Sequence, residues 1–444
     1  MTIHTSYAIE IKHINMIFRN TISIYQSAVA FCIKAFNNHW PILELLCEAN
    51  KDRFKYADSL IHSTKSNQAF YAEFDKLFYK MPSYLRFSVI NAALGYLSSY
   101  YSNVANWEAQ SDEYKKTHAK PGFQIHLHKL PTFYKDNMYK DFNNDTIKLK
   151  LFINNDWNWV ELKLKHTDVE SIRKHQMNAK MSAPTLEKRN KKWFLRFEFE
   201  ENVKLNNTKL DDQKILAVDL GINTDATCCV MQPDGTVLAR KFINFPNEKD
   251  HMMHTLNKIK KIQQRYGYSN TDKLWRIVKF HNDELASKIA SAITDAAVKY
   301  GCDVIVFEYL DMQGKKKGSK KEKLHMWKKN TIQNIVTNKA HRYGIRISRI
   351  LARNTSRLAY DGSGEVLRGR KSNFDSYELC RFQNGKIYNC DLSASYNIGS
   401  RYYIKEIRKS ISVKKWSDIV AKVPECEKRM QHTYATLLKI REVA

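Results

Sequence analysis

At 444 residues, with 43% hydrophobic and 12% aromatic content, the chain has room for about two to four domains and at least one sizeable core, which excludes a disordered protein. Lys plus Arg number 73 against 46 Asp plus Glu, a formal charge of +27, and that excess points to a polyanion, foremost nucleic acid. No apolar run approaches the ~18 residues of a membrane span, the N-terminus has no signal-peptide pattern, and the eight cysteines form no CxxC pair, so the expectation is a soluble intracellular protein with neither a disulfide framework nor an ordinary zinc site.

In chain order, Tyr7 to Ile11 reads as a short strand. Beyond it, to about Tyr101, Ile24, Ala28, Phe31 and Ala35, and again Leu85, Val89, Ala92 and Tyr96, fall at helical spacing, with Pro41 and Pro82 as interruptions. The dense aromatics of this region are expected in its core. From about Phe123 to Glu200 the period becomes two. "TIKLKLFI" sets Ile147, Leu149, Leu151 and Ile153 against Lys148 and Lys150; "VELKLK" sets Val160, Leu162 and Leu164 against Lys163 and Lys165; "WFLRFEFE" sets Trp193, Leu195, Phe197 and Phe199 against Arg196 and Glu198. These alternations predict antiparallel strands of a small barrel with a basic outer face, whose cations either keep it soluble or meet phosphate.

From Lys214 the pattern changes again. "ILAVDL" reads as a strand buried on both faces, and "ATCCVMQPDGTVLARKF" as a hairpin turning at Pro233-Asp234-Gly235. A helix is expected over 281–301, ending at Gly301, followed by the apolar strand "CDVIVFEYL", the lysine-rich run "GKKKGSKKEK", a helix around Trp327 to Tyr343 and the strand "IRISRIL". Strands alternating with helices imply a mixed sheet covered on both sides. The lysine run reads as a solvated loop that could also meet phosphate at the mouth of a site.

Three acids stand out. Asp219 follows four apolar residues, Glu308 ends the strand "VIVFEYL", and Asp391 in "NCDLSASYNIG" precedes a small-residue segment that reads as a helix start. Singly they have bland readings: an Asx turn for Asp219, a helix N-cap for Asp391. Gathered in one crevice at the sheet edge they would repel unless divalent cations lay between them. Two such ions suit phosphodiester cleavage.

In this order the residues resemble the RuvC nuclease fold of the TnpB family, RNA-guided nucleases of insertion sequences, and of their relatives, the compact type V CRISPR effectors. "AVDLGIN", "IVFEYL" and "DLSASYNIG" are similar to the three RuvC motifs, "WKKNTIQNIVTNKAHRYGIRISRILARNTS" to the segment ending in Asn-Thr-Ser, and "TLEKRNKKWFLRFEFE" to the hairpin before the nuclease domain. The resemblance implies a multidomain α+β protein, an RNase H-like mixed α/β domain joined to an antiparallel β-barrel wedge domain with an inserted helical recognition lobe. It divides the chain into a first wedge strand (1–12), helical lobe (13–105), wedge barrel (106–205), nuclease domain (206–357 and 388–444) and a ribbon-like insertion (358–387).

It further implies an Mg²⁺-dependent RNA-guided DNA endonuclease with Asp219, Glu308 and Asp391 as catalytic ligands of two Mg²⁺ ions, with Mn²⁺ as the alternative metal. Guide RNA and target DNA are the expected partners, bound as a monomer or homodimer in a prokaryotic cytoplasm near the nucleoid, with no membrane and no small-molecule substrate. The cations expected on nucleic acid are Lys148, Lys150, Lys163, Lys165 and Arg196 with Lys315, Lys316, Lys317, Lys320 and Lys321. Asn397 matches a family asparagine and is expected to cap or pack. One departure concerns zinc. Ala359, Gly362 and Gln383 stand where the family has cysteines, leaving Cys380 with Cys390 off-register, so the expected insertion is reshaped and zinc-free. The alternatives are a guided repressor without cleavage, which would lack one of the acids, and a transposase-like nuclease independent of RNA.

Overall fold

Alternating stretches become strands and helically spaced stretches become helices in the computed structural model, which describes residues 1–12, 16–46, 50–125, 129–143, 145–176, 179–267, 270–309, 326–369 and 378–443. The chain divides into two compact units, Thr2–Asn202 and Val203–Ala444, the second including Met1.

The first unit contains β1 (Thr2–Ile11), α1 (Arg19–Asn37), α2 (Trp40–Leu45), α3 (Asn50–Ile61), α4 (Glu73–Leu77), α5 (Ser83–Glu108), α6 (Asp112–Thr117), β2 (Tyr139–Lys140), β3 (Thr146–Ile153), β4 (Asp156–Lys163), α7 (His166–Gln176), β5 (Lys180–Met181), β6 (Thr185–Arg189) and β7 (Lys192–Asn202). On α1 the buried stripe runs through Tyr25, Val29, Cys32 and Phe36, with Ala28 and Ala35 beside it. Ile24 and Phe31 flank this stripe, because the apolar arc of the helix is wide enough to admit either register. On α5, Leu85, Val89 and Ala92 are buried as the spacing predicts.

The strands do not close into the expected barrel. β7 pairs along its length with β1 and on its other edge with β5 and β6, while β2, β3 and β4 form a separate three-stranded sheet. One seam joins the sheets: Ile11 bridges Leu164, and the Lys12 amide donates to Lys163 O at 2.8 Å. Among the described residues a single bridge, Thr132 to Thr185, stands where a second ladder would be needed. Pro131 and Pro184 precede the two bridging residues, and a proline has no N–H with which to extend the pairing.

The second unit contains β8 (Ile215–Leu220), β9 (Ala226–Met231), β10 (Val237–Ile243), α8 (Pro246–Tyr266), α9 (Asp272–Lys299), β11 (Val304–Tyr309), α10 (Lys329–Arg342), β12 (Arg346–Leu351), β13 (Leu367–Arg368), β14 (Leu379–Arg381), β15 (Ile387–Asn389), α11 (Cys390–Ser410), α12 (Val413–Lys422) and α13 (Tyr434–Val443). The main sheet has the order β10-β9-β8-β11-β12, antiparallel through β8 and parallel from β8 to β12. Its faces are divided by strand alternation. Leu216, Val218, Ile305 and Phe307 pack with Ile289, Ile293 and Val336 from α9 and α10. Ile215, Ala217, Val304 and Val306 pack with Ile398, Tyr402 and Leu437 from α11 and α13. Helix α9 starts nine residues earlier than its spacing predicts, its first turns meeting α8 instead of the sheet. It ends as expected: Gly301 has φ +60°, and the Cys302 amide donates to Ala297 O at 2.9 Å, which is the left-handed helix stop that favours glycine.

Candidate active site

Strand register brings the first two acids together. Val304 to Phe307 of β11 lie opposite Ile215 to Val218 of β8, and the same offset carried one residue further sets Glu308 opposite Asp219. Parallel neighbours are ~4.8 Å apart and facing residues share a side, so both carboxylates leave the sheet on the face shared with Ala217 and Val306. That face is covered by α11.

Helix α11 brings the third. A Cβ on Gly399 would stand 3.3 Å from Ala217 Cβ and 3.1 Å from Met231 Sδ, so glycine is what lets the helix lie this close. Further along, the Tyr403 hydroxyl reaches Gln213 O at 2.9 Å, at the start of β8. The helix therefore runs antiparallel to β8 with its first turn toward Asp219. Asn389, not Asp391, is the N-cap: its Oδ1 accepts from the Leu392 amide at 2.9 Å. Asp391 occupies the first turn instead, where the helix dipole favours negative charge.

The electrostatics carry the mark of crowded acids. Burial pushes the Asp219 carboxyl well above its usual range, and the charges of Glu308 and Asp391 push it the same way, opposed by Arg368. Glu308, 8% exposed, is raised by burial and drawn back by the Thr355 hydroxyl and the Arg401 charge. Asp391 is raised by burial, lowered by Arg368 and raised by Glu378. Among the described residues no group of three or more His, Cys, Asp or Glu side chains is gathered as a metal-holding cluster. The donors available are nonetheless hard carboxylate oxygens whose mutual repulsion a divalent cation relieves, a set suited to Mg²⁺ or Mn²⁺ rather than to a soft metal.

Sequence reasoning missed several supports. Thr355, in the Asn-Thr-Ser segment already singled out, hydrogen-bonds Glu308 and also reaches Ala352 O at 2.8 Å. Arg401 is buried and donates to Leu351 O (2.7 Å), Arg353 O (2.8 Å), His432 O (3.0 Å) and Met430 O (3.1 Å). It thereby ties the end of β12 to the segment before α13, and burial lowers its guanidinium to about 10 while Glu308 acts the other way. Asn397 packs rather than caps. Its Nδ2 donates to Thr355 O and Leu358 O, both at 2.9 Å, and its Oδ1 accepts from the Tyr434 amide at 3.0 Å. Arg368 comes from β13, donates to Ser356 O at 2.6 Å and leaves its buried Nε without a partner. Neither arginine had a local sequence signal.

The segment expected to be ribbon-like is built on rings and thiols. Ala359, Cys380, Phe382 and Cys390 form a buried cluster. Tyr360 packs on Phe382 (5.6 Å), Tyr388 (5.0 Å), Tyr396 (5.2 Å) and Tyr434 (5.9 Å). Gln383 donates to Glu365 O at 2.8 Å. Two of the expected phosphate-binding lysines are engaged with acids, Lys148 with Asp141 at 2.9 Å and Lys165 with Asp168 at 3.1 Å. Arg196 pairs with Glu187 at 2.7 Å, Lys150 lies over Trp159, and Lys163 is exposed. Lys315, Lys316, Lys317, Lys320 and Lys321 lie outside the described residues. No helix among the described residues is long and apolar enough to cross a membrane.

The sequence model of the Aq_aa04 family matches residues 5–153. No curated protein matches the sequence. Among solved structures, the chain is similar to the Cas12f1 of an sgRNA–target DNA complex, at 12% identity, covering 89% of this chain and 98% of that one with a TM-score of 0.47. It is similar to CasPhi-2 (Cas12j) bound to crRNA and phosphorothioate DNA, at 9% identity over 90% and 91% of the two chains with a TM-score of 0.49. It is also similar to C2c1 of Alicyclobacillus acidoterrestris in complex with single-guide RNA, at 9% identity over 80% and 63%, with a TM-score of 0.42.

Proposed function

We propose that the chain is an RNA-guided DNA endonuclease that hydrolyses target phosphodiesters at Asp219, Glu308 and Asp391. The observation that supports this most is the placement of the acids: strand register sets Asp219 and Glu308 side by side on the face that α11 covers, and Asp391, in the first turn of that helix, lies near enough for its charge to raise the Asp219 carboxyl. Asp219, Glu308 and Asp391 are the residues that would hold the two Mg²⁺ ions. Bound there, the ions would activate water and stabilise charge on the attacking and leaving oxygens. The chain's own part is orientation. Thr355 hydrogen-bonds Glu308, Arg401 anchors the end of β12 and places a positive charge near Glu308, Asn397 fixes the 355–358 loop against α13, and Arg368 supplies a positive charge beside Asp219 and Asp391. The +27 charge supports a nucleic-acid partner, and the resemblance of the three motifs to RuvC supports guidance by RNA.

The test is purification of the protein with its RNA, sequencing of that RNA, and cleavage of DNA matching it. Asp219→Ala is expected to abolish Mg²⁺-dependent cutting while leaving RNA binding nearly unchanged, since binding rests on many phosphate contacts. Undiminished cutting by that variant removes Asp219 from the mechanism. RNA-independent cutting favours the transposase-like reading, and guided binding without cutting by the wild type favours the repressor.

A further inference from the structure

Helices α8 and α9 pair antiparallel, and their two ends differ in charge. Near the sheet their lysines are neutralised: Lys249 by Asp225 at 3.0 Å, Lys288 by Glu248 at 2.8 Å and by Glu284 at 3.1 Å. Away from it the helices are held by a small core of their own, Leu256 and Ile259 against Val278. In residues 254–280 the chain carries seven Lys and Arg and one acid, Asp272. Lys258, Lys261, Arg265, Lys273 and Lys279 are exposed there, and no acid among the described residues pairs with them.

Three rings stand in water among these cations: Tyr266 at 72% exposure, Phe280 at 65% and Trp275 at 43%. Lysines alone suffice to keep a helix pair soluble, and exposed rings work against that purpose. On α9 each ring lies one helical turn from a cation, Trp275 with Lys279 and Phe280 with Arg276, a spacing that makes them surface neighbours. Rings interleaved with exposed cations are what unpaired nucleotides need, a face for each base and a charge for each phosphate. A second copy of the chain fits poorly, because both surfaces would bring the same excess of positive charge.

We propose that the far end of the α8–α9 pair binds single-stranded nucleic acid, stacking unpaired bases on Trp275 and Phe280 while the surrounding Lys and Arg hold the phosphates. The proposal goes beyond the nuclease reading and stands whether or not the acids cleave.

The test uses the full chain with a fluorescein-labelled single-stranded RNA, the matching DNA strand, an abasic strand and a duplex. It is run at a few tenths molar salt, where phosphate contacts are screened and stacking persists. Trp275→Ala and Phe280→Ala are each expected to weaken single-strand binding by on the order of tenfold, with the abasic strand insensitive to both and Trp275→Tyr largely restored. Strands bearing 5-bromouridine should cross-link to the peptide containing Trp275. A preference for RNA or for DNA among the arms identifies which strand the surface serves. Wild-type affinity in the double variant, equal losses for abasic and intact strands, or cross-links confined to residues outside 254–280 overturn the proposal. So does a dimer in sedimentation that the substitutions dissolve with oligonucleotide affinity unchanged. Cleavage is assayed in parallel: stacking without cutting sinks only the nuclease reading, and cutting without stacking sinks only this one.

Discussion

At the residue scale the three acids make a statement about stability as well as chemistry. Folding raises the pKa of Asp219 through burial, Glu308 and Asp391, so between its unfolded and folded values the folded chain binds the extra proton. This stabilisation is fully present below the unfolded pKa and is lost as pH rises through the folded one. In EDTA, Asp219→Asn is therefore expected to melt above wild type near neutral pH, each kcal/mol gained reading as about 2–4 °C for a unit of this size. The two should coincide near pH 4, and Mg²⁺ should narrow the gap by stabilising the wild type. Differential scanning calorimetry across pH checks this, and an Asn variant equal to or below wild type at neutral pH contradicts it. Of the three acids, Thr355 acts on Glu308 alone. Its hydroxyl lowers the Glu308 pKa, so Thr355→Val should move the acidic limb of the cleavage pH profile upward while leaving the alkaline limb in place. An unmoved profile would reduce Thr355 to packing.

At the scale of elements, α11 places Asp391 only because Gly399 lets it approach the sheet. Gly399→Val overpacks against Ala217 and Met231, a change costing about 1–3 kcal/mol. Cleavage should fall with it and recover in part when Met231→Ala makes room; full activity in the single variant would show that the helix position is not critical. The segment before α11 is held by Tyr360 and its rings, so Tyr360→Ala should cost about 2–3 kcal/mol. Elemental analysis should find well under one zinc per chain. How far all this was legible differs by element. β8 and β11 were readable because strands buried on both faces leave continuous apolar runs, and the β9–β10 hairpin because Pro-Asp-Gly marks its turn; α10 and β12 were legible as well. Asp219 and Glu308 were readable too, as charges at the ends of apolar runs. Barrel closure was not, since alternation says which residues face inward but not whether edges meet, and Pro131 and Pro184 decided that. Arg368 and Arg401 were invisible because each reaches its partners across the fold, by contacts that no spacing in the chain records.

At the scale of the whole molecule, charge is divided unequally between the two units. Residues 203–444 carry 45 Lys and Arg against 25 Asp and Glu, +20, while residues 1–202 carry 28 against 21, +7. Within the first unit much of that excess is already spent locally: Lys148, Lys165 and Arg196 pair with acids, and Lys140 lies 4.4 Å from the Trp159 ring centre. Counterion release scales with the phosphates neutralised, so the salt-sensitive part of nucleic-acid affinity should come mainly from the second unit, although the alternating strands of the first advertise their lysines more plainly in the sequence. Lysine acetylation of the free protein and of its RNA complex, read by mass spectrometry, checks this. Most lysines protected by RNA should fall within 203–444, including Lys258, Lys261 and Lys279 of the α8–α9 pair, while Lys148 and Lys165 should react alike in both states. Protection concentrated on β3 and β4 instead would return the basic strands to the centre of binding and make the charge of the second unit a matter of solubility.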